Sequence, residues 1–285
     1  MKKNSLIAIV LISLIFGLTG CGNTPATAEP VEVVEQTDGE TSASVDAKTS
    51  ASIVPEALIQ AVKAEGFTAG DQKKALFVVG DPRKYSVNYD LVNTAVAYFQ
   101  EQGVEVEVRD LYDIGFNPVL SLDEFYYAKD GAGEPTSEIK EEQLLVEQAD
   151  YIIFAYANWH DTPNAMVKGY MEKVFAKTFA YRDTDKGLEG LLTGKSMYTI
   201  MNAGFLGGGR GTIGDGVGID DQAWDRYMNA FKVFDDDTAG FWNMENKGRF
   251  INDRTPKNNS ETYEEDLNQL RDDLRAELDQ VFFQN

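Results

Sequence analysis

Short apolar runs alternate with helical patterns along most of the chain after residue 70. Five apolar residues form the run Ala75–Val79, and an unbroken run of this length favours a strand that is buried on both faces. Gly80-Asp81-Pro82 ends the run, and apolar residues return at helical spacing after Ser86. A strand, a short polar loop and a helix in this order form the opening unit of a doubly wound parallel sheet.

Four further strands are predicted from apolar runs and from alternation. They are Val104–Val108, Asp150–Tyr156, Ser196–Met201 and Phe231–Phe234. Helices are predicted over Ile53–Phe67, Glu138–Glu147 and Thr262–Phe282, and another begins at Thr162-Pro163. Thr262 and Glu265 have the spacing of a capping box, whereas Gly115–Ser137 is predicted to be irregular. The alternation of strands and helices predicts an α/β fold with a five-stranded parallel sheet in the order 2-1-3-4-5.

The first residues of the chain have the pattern of an export signal. Two lysines precede the apolar run Leu6–Leu18, which is shorter than the about 20 residues that span a bilayer. The run ends in Leu18-Thr19-Gly20-Cys21, which looks like a lipobox. We therefore predict a lipoprotein signal peptide over residues 1–20 and lipid attachment at Cys21, which is the only cysteine in the sequence. The alternative is an uncleaved anchor in which the cysteine is incidental.

The next segment, residues 21–52, is rich in Thr, Ser, Ala and Glu and poor in aromatic residues. Such a composition cannot bury enough apolar surface to fold, so a disordered tether is predicted. Residues 53–285 then form one domain. The expected location is the extracytoplasmic face of the bacterial cell membrane, with membrane contact only through the lipid anchor.

Charge and motif content exclude several classes of function. The chain has 26 basic and 47 acidic residues, a net charge of −21, and so strongly acidic a protein repels nucleic acid and anionic lipid. No Walker lysine, Ser-His-Asp set or metal-ligand cluster is visible, and Asp235–Asp237 is interpreted as an acidic surface turn. Gly209–Gly214 matches G-x-G-x-x-G but lacks the flanking strand and helix, so Gly204–Gly218 is predicted to be a mobile lid.

Three segments together resemble the NAD(P)H:quinone oxidoreductase branch of the flavodoxin-like flavoproteins. The segments are Asp81–Asn88, then Asp110-Leu111-Tyr112 with Phe116-Asn117-Pro118, and the run Ala149–Tyr181. The resemblance covers residues 74–205 and fades beyond Gly204. Asp81 stands where this family often has His, and Ala157 and Ala203 stand where it tends to have Pro and Gly. The resemblance makes the expected fold flavodoxin-like.

The resemblance also implies a flavin at the carboxyl ends of the strands, with FAD as the first choice and FMN as the second. Its phosphate or pyrophosphate would be held by Ser86, Val87 and Asn88, and the free N–H groups of a helix start also suit a phosphate. The isoalloxazine ring would be bordered by Asn158, Trp159 and His160. Its other edge would meet backbone N–H groups of Asn202, Ala203 and Gly204.

The leading hypothesis is therefore a lipid-anchored flavoprotein oxidoreductase similar to NAD(P)H dehydrogenase (quinone). NAD(P)H would be the electron donor, a quinone-type small molecule the acceptor, and the resemblance implies a homodimer. His160, the only histidine, is the candidate proton relay, because its charge changes near neutral pH; the alternative is a solvent-facing loop residue. The rival hypothesis is a non-catalytic flavodoxin-fold lipoprotein that carries electrons or binds a ligand.

Overall fold

The structure is a computed structural model that describes residues 66–159, 162–203, 221–253, 256 and 260–284. Its elements in chain order are β1 (Lys74–Gly80), α1 (Val87–Glu101), β2 (Glu105–Asp110), α2 (Leu122–Asp130), α3 (Ser137–Gln148), β3 (Tyr151–Ala157), α4 (Ala165–Val174), β4 (Tyr181–Thr184), β5 (Gly187–Gly190), β6 (Ser196–Asn202), α5 (Asp221–Trp242), β7 (Glu245–Asn252) and α6 (Tyr263–Leu278). A π-helical turn, Asp279–Phe283, continues α6.

Five strands form one sheet in the order β2-β1-β3-β6-β7, and every neighbouring pair is parallel. β4 and β5 form a separate antiparallel hairpin. Counted within the main sheet alone, the order is 2-1-3-4-5. The predicted flavodoxin-like doubly wound fold is therefore confirmed, with helices supplying the crossovers that parallel strands need.

Helices cover both faces of the sheet, which explains why its central strands are apolar throughout. Successive residues of β1 point to opposite faces, so Leu76 packs towards α3, α4 and α5, whereas Phe77 packs towards α1 and α6. All residues of β1 after Lys74 are buried. The central strands therefore lead out of a buried sheet to its carboxyl edge.

The fifth strand was predicted at the wrong place. Phe231–Phe234 lies inside α5, where Phe231 is buried and Phe234 is 63% exposed. A four-residue apolar run cannot by itself distinguish a strand from a helix segment. The true strand, β7, lies at the edge of the sheet and is only half buried, so its sequence has few apolar residues.

α2 lies within Gly115–Ser137, which was predicted to be irregular. None of its residues is buried, so it leaves no apolar stripe in the sequence. The residues at its ends are the ones typical of a helix. Ser121 and Glu124 form a capping box, and Gly131 ends the helix at φ 63° in the left-handed region. This helix depends on its caps rather than on a buried face.

The capping box predicted for the last helix is not formed. The Thr262 side chain makes no hydrogen bond to the helix start, and its hydroxyl donates to Asp266 at 3.0 Å instead. Acidic residues in the first turn of α6 supply negative charge near the positive end of the helix dipole.

Within the described part of the chain, no helix is both long enough and apolar enough to cross a bilayer. The predicted signal peptide, Cys21, the tether and nearly all of the helix predicted over Ile53–Phe67 lie outside the described residues, as does the predicted glycine-rich lid.

Candidate functional site

The carboxyl ends of three adjacent strands meet at one edge of the sheet. Gly80, at the end of β1, pairs with Tyr156 of β3, and Ala157 pairs with Asn202 at the end of β6. The loops that follow bring together Ser86, Val87, Asn88, Asn158, Trp159, Asn202 and Ala203. His160 and Gly204 lie outside the described residues. This is the edge where doubly wound sheets bind ligands.

The loop between β1 and α1 is organised around Asp81, whose side chain is 0% exposed. Its carboxylate accepts hydrogen bonds from the Arg83 backbone N–H at 2.9 Å and from Arg83 Nε and Nη2 at 3.1 Å. It also accepts the Ser86 hydroxyl at 2.9 Å. Ser86 is the N-cap of α1, and its Oγ accepts from the Tyr89 N–H at 3.3 Å. The Ser86 hydroxyl therefore both donates and accepts within the loop, and Val87 follows it as the first residue of α1.

Lys84, the other basic residue of this loop, is also paired. Its ammonium group contacts the carboxylates of Asp110, at the end of β2, and Asp113. The Tyr89 hydroxyl donates to Asp110 as well. Burial, followed by that hydrogen bond, raises the pKa of the Tyr89 hydroxyl. Both basic side chains of the loop thus face carboxylates of the protein itself.

Buried amide atoms of two asparagines at this edge lack hydrogen-bond partners. Asn88, in the first turn of α1, is fully buried, and neither its Oδ1 nor its Nδ2 has a partner. Asn158 Oδ1 is in the same state, although the Asn158 backbone N–H donates to the Asn202 carbonyl at 2.9 Å. An unpartnered buried polar group costs about 1–3 kcal/mol. These atoms are ones that a bound molecule can satisfy.

Trp159 presents a flat aromatic surface beside these amides. Its side chain is 41% exposed, and the Arg83 guanidinium lies 6.0 Å from the ring centroid. A backbone bridge to Thr162 fixes the loop on which it stands. An exposed indole next to unpartnered amides is a surface on which another flat ring can stack.

The end of β6 is held by β7. Asn252 Nδ2 donates to Asn202 Oδ1 at 2.7 Å, and the Ala203 N–H donates to the Asn252 carbonyl at 2.8 Å. The Ala203 N–H, expected to face a flavin, therefore already has an acceptor. This hydrogen bond was not predicted from the sequence, because β7 was not recognised as the strand next to β6.

A cavity of ≈ 830 Å³ opens beside the Trp159 loop, with Thr162 and Pro163 in its wall. Phe175 and Trp242 contribute a stacked aromatic pair with ring centroids 4.0 Å apart. Its volume lies in the range of small-molecule sites. Sequence reasoning missed the cavity because its lining comes from several elements that are distant in the chain.

A buried ion pair, Arg249 with Asp235, lines the cavity and is called its charged floor below. Arg249 donates to Asp235 through Nε and Nη2, both at 2.7 Å, and both side chains are buried. The guanidinium also lies over the rings of Tyr156 and Phe231, and its Nη1 contacts the Met201 sulfur, a weak acceptor, at 2.9 Å. Burial raises the pKa of the Tyr156 hydroxyl.

This floor corrects the interpretation of Asp235–Asp237 as an acidic surface turn. The three residues lie within α5, and Asp235 faces inwards to Arg249. In the described residues, no group of three His, Cys, Asp or Glu side chains is arranged to hold a metal ion.

Curated relatives match part of the chain. An uncharacterized NAD(P)H oxidoreductase of Haemophilus influenzae is 37% identical over 105 residues, which are 37% of this chain and 51% of the relative. NAD(P)H dehydrogenase (quinone) 1 of Cavia porcellus is 34% identical over 125 residues, or 38% of this chain and 45% of the relative. The chain thus spans about half the length of these relatives.

Solved structures share the fold at low sequence identity. The NAD(P)H:quinone oxidoreductase from Methanothermobacter marburgensis is 18% identical, with a TM-score of 0.57, over 72% of this chain and 96% of that one. An FMN-dependent NADH-azoreductase from Bacillus anthracis, in complex with FMN, is 16% identical, with a TM-score of 0.50, over 74% and 100%. A family profile described as flavodoxin-like fold matches residues 73–274, well over half of the sequence. The parallel sheet, its order and this match agree, and the chain belongs to the flavodoxin-like fold family.

Proposed function

We propose that the protein is a flavoprotein oxidoreductase that uses NAD(P)H to reduce a quinone-type acceptor. The observation that carries this proposal is that the unpartnered buried amide of Asn88, the unpartnered Oδ1 of Asn158 and the exposed Trp159 all lie at the carboxyl edge of the sheet. The names of the relatives, which include NAD(P)H dehydrogenase (quinone) 1, favour the same chemistry.

The residues at this edge suit the uncharged part of a flavin. A flavin ring has both donors and acceptors along its polar edge, and the Asn88 amide offers one of each. Asn158 Oδ1 can accept a further N–H, and the Trp159 indole can stack on the ring. When bound, a flavin supplies hydride transfer. FAD as the preferred flavin stays a prediction, and the azoreductase complex indicates that this fold accommodates FMN.

The cavity beside Trp159 suits the acceptor. Its aromatic wall, which includes Phe175 and Trp242, favours a flat apolar ring. Arg249 Nη1, which contacts the weakly accepting Met201 sulfur, can instead donate to a carbonyl oxygen of that ring. The Tyr156 hydroxyl, which also lines the cavity, can donate a second hydrogen bond. These two groups would orient the acceptor, while the role of His160 as a proton relay stays a prediction.

A non-catalytic ligand carrier is the second candidate function. One observation favours it: the donors of the β1–α1 loop are already used by Asp81, so this loop needs no ligand to be complete. Such a protein would bind a flavin or another flat molecule without turning over NAD(P)H.

Turnover separates the two candidates. The purified chain, supplied with flavin, is expected to oxidise NADH or NADPH only when a naphthoquinone is present. Trp159→Ala should lower the rate at least about tenfold through loss of ring stacking. Tyr126→Leu, at a half-exposed aromatic residue of α2 outside the cavity lining, is the matched control. Flavin binding without any NAD(P)H oxidation would favour the carrier.

The lipid anchor and the homodimer are part of the proposal. The lipobox-like sequence ending at Cys21 supports attachment at the extracytoplasmic face of the bacterial membrane. Because the sequence has no other thiol, Cys21→Ser should leave the protein unprocessed or shed from the membrane. A mature-sized variant that still partitions into detergent would contradict the lipoprotein assignment. Light scattering that gives a monomer at micromolar concentration would contradict the homodimer.

A further inference from the structure

The loop at the start of α1 already contains an anion. Asp81 is fully buried and accepts four hydrogen bonds. Its Oδ1 accepts from the backbone N–H and Nε of Arg83, and its Oδ2 accepts from Arg83 Nη2 and the Ser86 hydroxyl. A carboxylate has about four lone-pair sites, so these four bonds fill its capacity. The donors, on Arg83 and Ser86, are groups that a phosphate in this loop would need.

The basic side chains of the loop are also paired with carboxylates. Arg83 and Lys84 are its only basic residues by sequence, and each faces a carboxylate. The guanidinium of Arg83 is half exposed, but its departure from Asp81 would leave a buried carboxylate without its cation. The ion pair is therefore expected to persist when a ligand arrives.

The positive end of α1 gives this loop only a weak attraction for an anion. A helix start is equivalent to about half an elementary positive charge, and the Asp81–Arg83 ion pair adds no net positive charge to it. A second anion within about 4–6 Å of a buried carboxylate is disfavoured. The loop thus offers little net attraction for a phosphate, although phosphate is the ligand that its sequence position suggests.

We propose that Asp81 occupies the anion position of this loop and makes the site select a flavin without phosphate, of the riboflavin class, over FMN and FAD. The inference rests on the proposed function, since it takes a flavin to be the ligand. The hydroxyl groups of an uncharged flavin side chain can donate and accept, which suits the unpartnered amide of Asn88. Asp81 is in this account a specificity-determining residue and has no part in hydride transfer.

Fluorescence titration with riboflavin and FMN tests the selection. The wild-type chain should bind riboflavin at least as tightly as FMN. Asp81→Ser frees the Arg83 and Ser86 donors and should shift the affinity ratio at least about tenfold towards FMN, with riboflavin affinity little changed. Asp81→Asn, which keeps the shape of the side chain, should shift it in the same direction if the Ser variant folds poorly.

The matched control removes the same charge elsewhere on α1. Glu101 pairs with Arg275 at the far end of that helix, so Glu101→Gln should leave the ratio of the two affinities unchanged. Wild-type protein that binds FMN about tenfold tighter than riboflavin would overturn the proposal. Asp81 variants with an unaltered ratio would overturn it too.

A second measurement needs no flavin. At matched ionic strength, inorganic phosphate should not raise the melting temperature of the wild-type chain relative to chloride, but it should raise that of Asp81→Ser. Stabilisation of the wild type by phosphate would overturn the role of Asp81. If no flavin binds to any variant, the proposed function fails, whereas this phosphate comparison still decides whether Asp81 occupies the anion position.

Discussion

At the scale of single residues, buried carboxylates determine much of the behaviour of this acidic protein. Asp81 and Asp235 are each buried against an arginine. Glu142 is likewise buried against Arg109, with the Tyr170 hydroxyl donating to it at 3.1 Å. For the two pairs that are buried on both sides, Asp235–Arg249 and Glu142–Arg109, removing one partner costs about 3–5 kcal/mol, because the other charge stays buried alone. These ion pairs hold their side chains in place even where they add little to the free energy of unfolding.

Glu277 is a carboxyl group whose charge opposes folding. Burial raises its pKa, and the hydrogen bond from the Tyr198 hydroxyl, at 2.6 Å, offsets this only in part. A carboxyl pKa raised by folding destabilises the protein above the folded-state pKa, and the penalty disappears as the pH falls below the unfolded value of about 4.3. Glu277→Gln should therefore be more stable than wild type at pH 7 and equal to it near pH 4.

Urea unfolding at the two pH values measures this difference. Glu101→Gln is the comparison, because the Arg275 hydrogen bond lowers the pKa of Glu101 and its loss should not stabilise the protein at pH 7. A Glu277→Gln variant that is less stable at pH 7 would contradict the argument.

The position of a candidate site residue along the chain decides where it lies in the fold. Ser86, Asn88, Asn158 and Trp159 lie at the carboxyl edge because each follows a buried strand. The partners of these side chains were not predictable. The contacts of Asp81 with Arg83 and Ser86 depend on how a short loop turns, which periodicity does not report.

At the scale of elements, caps and close packing matter as much as apolar stripes. α4 is an example: it approaches the loop before α2 so closely that a side chain at Gly169 would overlap the backbone of Pro118. α5 has a glycine at Gly240 with open space around the position of a side chain. The two glycines have the same helix propensity, but Gly169 is tightly packed against Pro118 whereas Gly240 has free space beside it.

Replacing each glycine by alanine separates the effect of helix propensity on stability from the effect of close packing. Gly240→Ala should stabilise the protein by up to about 1 kcal/mol, because Ala favours the helix. Gly169→Ala should destabilise it by about 1–3 kcal/mol, because overpacking outweighs the same gain. Denaturant unfolding of the two variants measures both effects, and stabilisation by Gly169→Ala would contradict the close approach of α4 to Pro118.

Two of the elements missed from the sequence, α2 and β7, share one physical cause. α2 buries no residue and β7 is an edge strand, so neither carries the apolar pattern on which the prediction relied. The central strands β1, β3 and β6 are buried on both faces and were placed to within a residue or two.

At the scale of the whole molecule, the net charge of −21 affects which molecules approach the site. NAD(P)H is an anion, so its encounter with the proposed enzyme is opposed by repulsion. Screening lengths fall from about 30 Å at 0.01 M salt to about 8 Å at 0.15 M. We expect kcat/KM for NADH to rise several-fold over this range, whereas that for an uncharged quinone should change little. A fall with added salt would instead indicate a local positive site for the cofactor.

The central claim is that a flavin binds at the carboxyl edge of the sheet. The most direct measurement incubates the purified chain with riboflavin, FMN or FAD, removes free flavin by gel filtration and records the visible spectrum of the protein fraction. We expect a yellow protein with one flavin per chain for at least riboflavin, and a reduced amount of bound flavin for Trp159→Ala. A folded protein that elutes colourless after incubation with all three flavins would contradict it.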